Sequence, residues 1–219
     1  MIKQLANNST RTLVALLTFV ILHGCSAHSK QVNACRSSYK KARADLNAYY
    51  KDHDSSMLGS SLADADLAMR CVETRQAAVE MKISLLALMK SFRKGYEFVI
   101  SLNESDFTMS YKKTMGYQYF LAMDADARGD TLLRNRIFKN ICFDIETYIR
   151  NENLPAGKLN EVAYYDLYKM KTKIRSQSQL GMEIDSLKQR YPASSEFFDV
   201  LKGSLTDTVV TYAMPPTTY

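Results

Sequence analysis

Residues 61–99, SLADADLAMRCVETRQAAVEMKISLLALMKSFRKGYEFV, carry the pattern on which the fold turns. Leu62, Ala65, Met69, Val72, Gln76, Val79, Ile83 and Leu86 recur in alternating steps of three and four, which sets them on one face of an α-helix as a coiled-coil-like seam. From Ala78 a second apolar stripe runs through Met81, Leu85, Leu88, Phe92, Tyr96 and Val99. A helix apolar on two sides must be surrounded, so the spacing predicts one long central helix. Its start falls near Ser60 or Ser61, where Ser61 and Asp64 fit the serine-x-x-acid capping pattern.

The flanking sequence has the same period. Toward the N-terminus, Val32, Cys35, Tyr39, Ala42, Leu46 and Tyr49 or Tyr50 share one face of a helix from Val32 to Lys51, which ends at the polar run Asp52-His53-Asp54-Ser55-Ser56. Toward the C-terminus, Asn103 to Asp106 forms a turn into a segment from Phe107 to Ala127 rich in Tyr and Phe. Gly129 suits a left-handed helix end, and Asp130 can cap a helix from Thr131 to Arg150 whose inward face is Leu133, Ile137, Ile141, Ile145 and Tyr148. Asn153-Leu154-Pro155-Ala156-Gly157 is the clearest break. Leu167, Met170, Ile174, Leu180, Ile184, Leu187 and Tyr191 then predict either one helix from Leu159 to Arg190 or two helices that meet near Gly181, and of these a kinked continuous helix is the expectation. Pro192 ends it, and Ser194 or Ser195 starts a shorter helix through Phe197, Phe198 and Leu201 to Gly203. Strand-type alternation is scarce, so the expected fold is all-α: an irregular helical bundle of about six or seven helices, or stacked helix hairpins. The expected organisation is a helical domain over 32–203 followed by a loosely held tail over 204–219, which mixes β-branched residues with Pro215-Pro216.

The N-terminus has another character. Lys3 and Arg11 precede an apolar run from Leu13 to Leu22, broken only by Thr18. A membrane-crossing helix needs about 20 apolar residues, and this run is about half that length, as in a cleavable export signal. It ends in Leu22-His23-Gly24-Cys25, which resembles the bacterial lipobox: an aliphatic residue three before the cysteine, a small residue just before it, then the cysteine itself. His23 departs from the small or uncharged residue usual at that place. The resemblance to bacterial lipoproteins implies cleavage between Gly24 and Cys25, palmitate-type acyl chains on Cys25, a signal peptide over 1–24 and a lipidated tether over 25–31. With Ser26 rather than Asp after the cysteine, it also implies the outer membrane, with the body facing the periplasm. Two or three acyl chains, each stabilising by about 0.8 kcal/mol per buried methylene, make such an anchor effectively permanent. Residues 26–31, Ser-Ala-His-Ser-Lys-Gln, span at most about 20 Å when extended.

Cleavage removes two of the 29 Lys and Arg and none of the 23 Asp and Glu, leaving a net charge of about +4. That balance favours anionic headgroups or cell-wall polymers and is too small to imply nucleic acid. Besides Cys25 the chain holds Cys35, Cys71 and Cys142; in an oxidising compartment two can pair. Spacing leaves the choice open, with Cys35–Cys71 ranked first because the two lie on successive helices.

Catalytic and ligand patterns are weak. The mature chain holds only His28 and His53, with no His-Glu-x-x-His or paired Cys-x-x-Cys, so no metal or other cofactor is expected. Asp124 to Asn135 has the Gly of a calcium loop at Gly129, but Arg128 occupies its fifth place and Asn135 its twelfth, where Glu is required. Cys35 with His53 is the one Cys–His combination available, and no Gly-x-Ser-x-Gly occurs. Two aromatic and basic segments, around Tyr111, Tyr117 and Tyr119 and around Tyr164 and Tyr168, admit two readings: rings lining the bundle core, or a partner or glycan surface. The expected function is a non-enzymatic, membrane-anchored accessory, assembly or scaffolding factor that contacts another envelope protein. The alternatives are an enzyme acting on cell-wall glycan or peptide, and a surface-displayed protective or adhesive lipoprotein.

Overall fold

The computed structural model describes residues 30–155 and 157–205. Gly24, Cys25 and residues 206–219 therefore lie outside the described residues. The fold is all-α: among the described residues there is no strand, and nine helices form. They are α1 (30–52), α2 (Ser56–Ala68), α3 (Val72–Leu88), α4 (Phe92–Ile100), α5 (Tyr111–Ala127), α6 (Thr131–Asn151), α7 (Glu161–Lys171), α8 (Gln177–Arg190) and α9 (Ser195–Ser204). Single 3-10 turns occupy Glu104–Asp106 and Pro192–Ser194. No helix among the described residues is long and apolar enough to cross a membrane.

The count exceeds six or seven because two expected long helices are broken. The stretch 61–99 forms parts of three helices. At the first break the Thr74 hydroxyl donates to the Ala68 carbonyl, and Cys71 is drawn to Cys35. At the second, Lys90 adopts φ 52° and the Ser91 amide donates to the Leu86 carbonyl at 2.9 Å, a helix end without the usual glycine. The second long helix divides at 172–176 rather than bending at Gly181. The Thr172 hydroxyl donates to the Lys169 carbonyl at 2.7 Å, and Ser176 with Gln179 forms a reciprocal capping box that starts α8. Gly181 lies inside α8, where an added Cβ would stand 3.5 Å from Lys202 Cε of α9.

By their contacts the described residues divide into two compact units, one ending at Ala78 and the other beginning at Val79, with the division inside α3. In the first, α1 and α2 form an antiparallel hairpin. Left-handed His53 (φ 55°) ends α1, and Asp54 accepts from the Ser56 amide at 2.9 Å to start α2. The capping role expected of Ser61 and Asp64 is replaced by inter-helix contacts. Ser61 is buried within α2 and donates to the Ala42 carbonyl at 2.7 Å, while Asp64 meets Lys41 at 2.8 Å. Ala42, Ala65 and Ala68 are fully buried, and their small side chains let the two backbones approach.

In the second unit successive helices pack as antiparallel hairpins, α4 on α5, α5 on α6, α6 on α7 and α8 on α9, with α9 also touching α7. Phe120, Phe138, Phe198, Leu85, Ile141, Ile145, Leu180 and Ile184 fill the core. A Cβ on Gly95 would collide with the Phe120 ring, so glycine sets the closeness of α4 and α5. Between α5 and α6, Gly129 takes φ 78° and Asp130 accepts from the Leu133 amide at 2.9 Å. The would-be calcium ligands are used there as well, Asp126 by Arg134 at 2.8 Å and Asp124 by Arg128 at 3.1 Å. The start of the expected loose tail is held: the Ser204 carbonyl accepts from Lys169 at 2.6 Å and that of Leu205 from Gln177 at 3.2 Å.

Candidate functional site: a charged cleft between three helices

Three helices of the second unit each present a stripe to one cleft of about 360 Å³. From α6 come Glu146, Ile149 and Arg150; from α7, Tyr164, Leu167, Tyr168 and Lys171; from α8, Glu183, Ser186, Leu187 and Arg190. The three- and four-residue spacing along each helix is what makes a continuous wall. Asp130 fixes the start of α6, Asn160 accepts from the Ala163 amide at 3.1 Å to start α7, and the Ser176–Gln179 box starts α8.

Lys171 stands at the centre, only 5% exposed. Its ammonium lies 3.1 Å from Glu146 and 3.0 Å from Glu183, and Arg175 reaches the second oxygen of Glu183 at 3.2 Å. Lys171 sits in the last turn of α7, where the helix dipole also favours a cation. The ammonium is 5.0 Å from the centre of the Tyr168 ring. Burial, then Tyr191 close by, pushes the Tyr164 phenol up to about 12. Burial likewise pushes the neighbouring Cys142 thiol up to about 12, so it is a protonated, inert group at neutral pH.

A second polar cluster is more deeply enclosed. Glu80 accepts from the Thr108 hydroxyl at 2.7 Å and from Lys112 at 3.0 Å; Lys112 also lies 3.8 Å from Asp166, which accepts from the Tyr111 phenol at 2.7 Å. Glu80 and Lys112 are 3% and 7% exposed, so this network joins α3, α5 and α7 from within. Burial is the main cause that raises the Asp166 carboxyl above its ordinary value, against the opposing pull of Lys112. Burial also raises the Tyr111 phenol, helped by the Asp166 charge.

These arrangements can position and bind. Glycoside hydrolysis needs one carboxyl to protonate the leaving oxygen and another on the opposite side of the bond. Glu146 and Glu183 instead share one ammonium. Cys35 is bonded to Cys71, with S–S 2.02 Å, and so is no nucleophile for His53. Among the described residues no group of three or more metal-type ligands forms.

Of the tyrosines that could form a partner surface, Tyr111, Tyr119 and Tyr168 are buried in the core, while Tyr117 and Tyr164 are half-buried. Tyr117 packs edge-on against Tyr96, and Tyr164 against Phe198. Tyr164 and Tyr168 line the cleft together; Tyr111 lines a different groove, with Tyr148 and Glu152. Sequence reasoning placed Lys171 only at the end of the basic, aromatic segment beginning at Tyr164 and missed Glu146 and Glu183, which meet it once the successive helices α6, α7 and α8 pack together. The available sign was the run Tyr164, Leu167, Tyr168, Lys171, a helical stripe ending in a charge. Compared with known protein families, with curated proteins and with solved structures, the chain finds no match.

Proposed function

We propose that the chain is a bacterial lipoprotein, held by acyl chains on Cys25 in the outer membrane and facing the periplasm, which serves as a non-enzymatic accessory or scaffolding factor for another envelope protein. The observation that carries this reading is Leu22-His23-Gly24-Cys25 at the end of a short apolar run behind a basic N-terminus. Two features support it. The Cys35–Cys71 bond fits an oxidising compartment outside the cytoplasm. Glu146 and Glu183 in the cleft are paired with Lys171 and Arg175, as suits a binding body better than an acid–base centre.

Metabolic labelling with a palmitate analogue tests the anchor. The wild-type chain is expected to take up label at its mature N-terminal cysteine, and Cys25→Ala to take up none; an unlabelled wild type overturns the anchor. In-cell crosslinking followed by mass spectrometry tests the role. A specific envelope protein recovered with the chain is the expected result, and recovery of the chain alone across growth conditions counts against it.

A further inference from the structure

Helix α1 begins at residue 30, five residues after Cys25. Its inner side is closed on α2: Cys35 and Ala42 are buried, Asp45 accepts from Ser60, and Lys41 is paired with Asp64. The opposite side is different. Arg36, Lys40, Arg43 and Lys51 are all exposed, and at 100° per residue they fall within an arc of about 80°. Asn33 and Asn47 share that arc, and no acidic residue does. None of the four cations makes an ion pair among the described residues. From Arg36 to Lys51 the stripe is about 22 Å long at 1.5 Å per residue.

We infer that this stripe is a docking surface for the anionic phospholipid headgroups of the bilayer that holds the acyl chains, so that α1 lies along the membrane instead of projecting from it. The inference rests on the lipoprotein reading. Charge complementarity is the first argument: a row of four unpaired cations, free of acids, matches a negatively charged plane. Reach is the second. Residues 26–29 extend at most about 14 Å, so the anchor keeps the start of α1 near the headgroups. Attraction to headgroups fades within a screening length of about 8 Å at physiological salt, so all four cations gain from it only if the helix lies flat. Acyl chains and a basic patch are two signals of the kind that together give stable membrane association. An acidic partner protein would need its own row of carboxylates matched to this spacing, whereas a lipid surface presents charge along the whole length.

The chain contains no Trp, so one substitution supplies a unique fluorophore on the stripe. The lipidated mature protein carrying Asn47→Trp is reconstituted in phosphatidylcholine vesicles, and in phosphatidylcholine–phosphatidylglycerol vesicles, each with brominated acyl chains. In anionic vesicles at low salt the indole emission is expected to shift to the blue and to be quenched by bromine. Neither effect is expected in neutral vesicles or in molar salt, although the acyl chains still float the protein with the lipid. Adding Arg36→Gln, Lys40→Gln, Arg43→Gln and Lys51→Gln is expected to abolish the shift. In the unlipidated chain each lost cation should weaken partition into anionic vesicles about fivefold. Identical emission in neutral and anionic vesicles, or a shift that survives loss of the four cations, overturns the proposal. An acidic protein partner would give that first outcome. The Gln variants and a milder pair, Lys40→Gln with Arg43→Gln, are checked for native helicity by circular dichroism, and the pair alone decides if the larger set unfolds. If the N-terminal peptide proves to carry no acyl group, the anchor reading fails separately. Protein added from solution then still decides the stripe: an anionic-lipid-dependent shift supports it, and none overturns it.

Discussion

Single residues in the second unit hold charges that the core would otherwise exclude. Glu80 is buried, and its two oxygens are satisfied by Thr108 and Lys112. Lys112→Met would leave that carboxylate in place without its counter-charge, and breaking a buried pair in this way costs about 3–5 kcal/mol. Replacing both partners, Lys112→Met with Glu80→Met, removes the uncompensated charge of Glu80 and should recover part of the loss, the remainder being the cost to Asp166, which loses the same lysine. Urea unfolding of the two variants measures this; equal destabilisation by the single and double replacements would contradict it. Asp166 gives a pH-dependent counterpart. Burial raises its carboxyl above the ordinary 3.8, so the folded state holds the proton more tightly than the unfolded chain does. The charged form is therefore a burden on folding above that raised value, and the burden lifts as the pH falls toward 3.8. Asp166→Asn keeps an acceptor for Tyr111 and has no such burden. Unfolding midpoints of wild type and variant should accordingly shift in favour of the wild type between about pH 7 and about pH 4.5. A difference that does not vary with pH would show that Asp166 does not titrate differently on folding.

Elements were legible where a single residue type dictates local geometry, and illegible where tertiary contact does. Gly129 and Asp130 give the α5–α6 turn by chemistry alone, and the structure uses them as the sequence suggests. Ser176 and Gln179 carried the same kind of information, but the apolar rhythm running through Thr172 to Ser176 masked it. The break at Lys90 has no such sign, because a non-glycine residue in a left-handed conformation is held there by what surrounds it. Packing also separates two glycines that look alike in sequence. At Gly95 an added Cβ meets the buried Phe120 ring, so Gly95→Ala should destabilise by about 1–3 kcal/mol through overpacking. At Gly59, in α2, nothing lies within 4 Å of the same atom, and Gly59→Ala should stabilise by about 0.5–1 kcal/mol through helix propensity. Thermal melting of both variants tests the contrast: an unchanged or raised midpoint for Gly95→Ala would contradict the close α4–α5 packing, and a lowered one for Gly59→Ala would contradict the open space at α2.

At the scale of the whole chain, periodicity made the all-α class readable, because a 3.6-residue repeat is local. The cleft around Lys171 was not readable, since Glu146, Lys171 and Glu183 become neighbours only when α6, α7 and α8 assemble. The Cys35–Cys71 bond spans the two levels: its cysteines fall on predicted helices, yet only the α1–α2 hairpin brings their Cα atoms to 6.1 Å. A cross-link over a separation of 36 residues restricts the unfolded chain and should stabilise by about 3–4 kcal/mol. The whole loop lies within the unit that ends at Ala78. Reduction should therefore speed amide hydrogen exchange first in α1 and α2, with α5 and α6 retaining more protection. The thiols give an independent reading of the same state. In the oxidised chain Cys142 should resist alkylation while folded and react once denatured, whereas Cys35 and Cys71 should react only after reduction as well. Exchange that rises equally in α2 and α6 would mean the two units unfold as one; alkylation of Cys35 without reductant would mean that the bond is not formed.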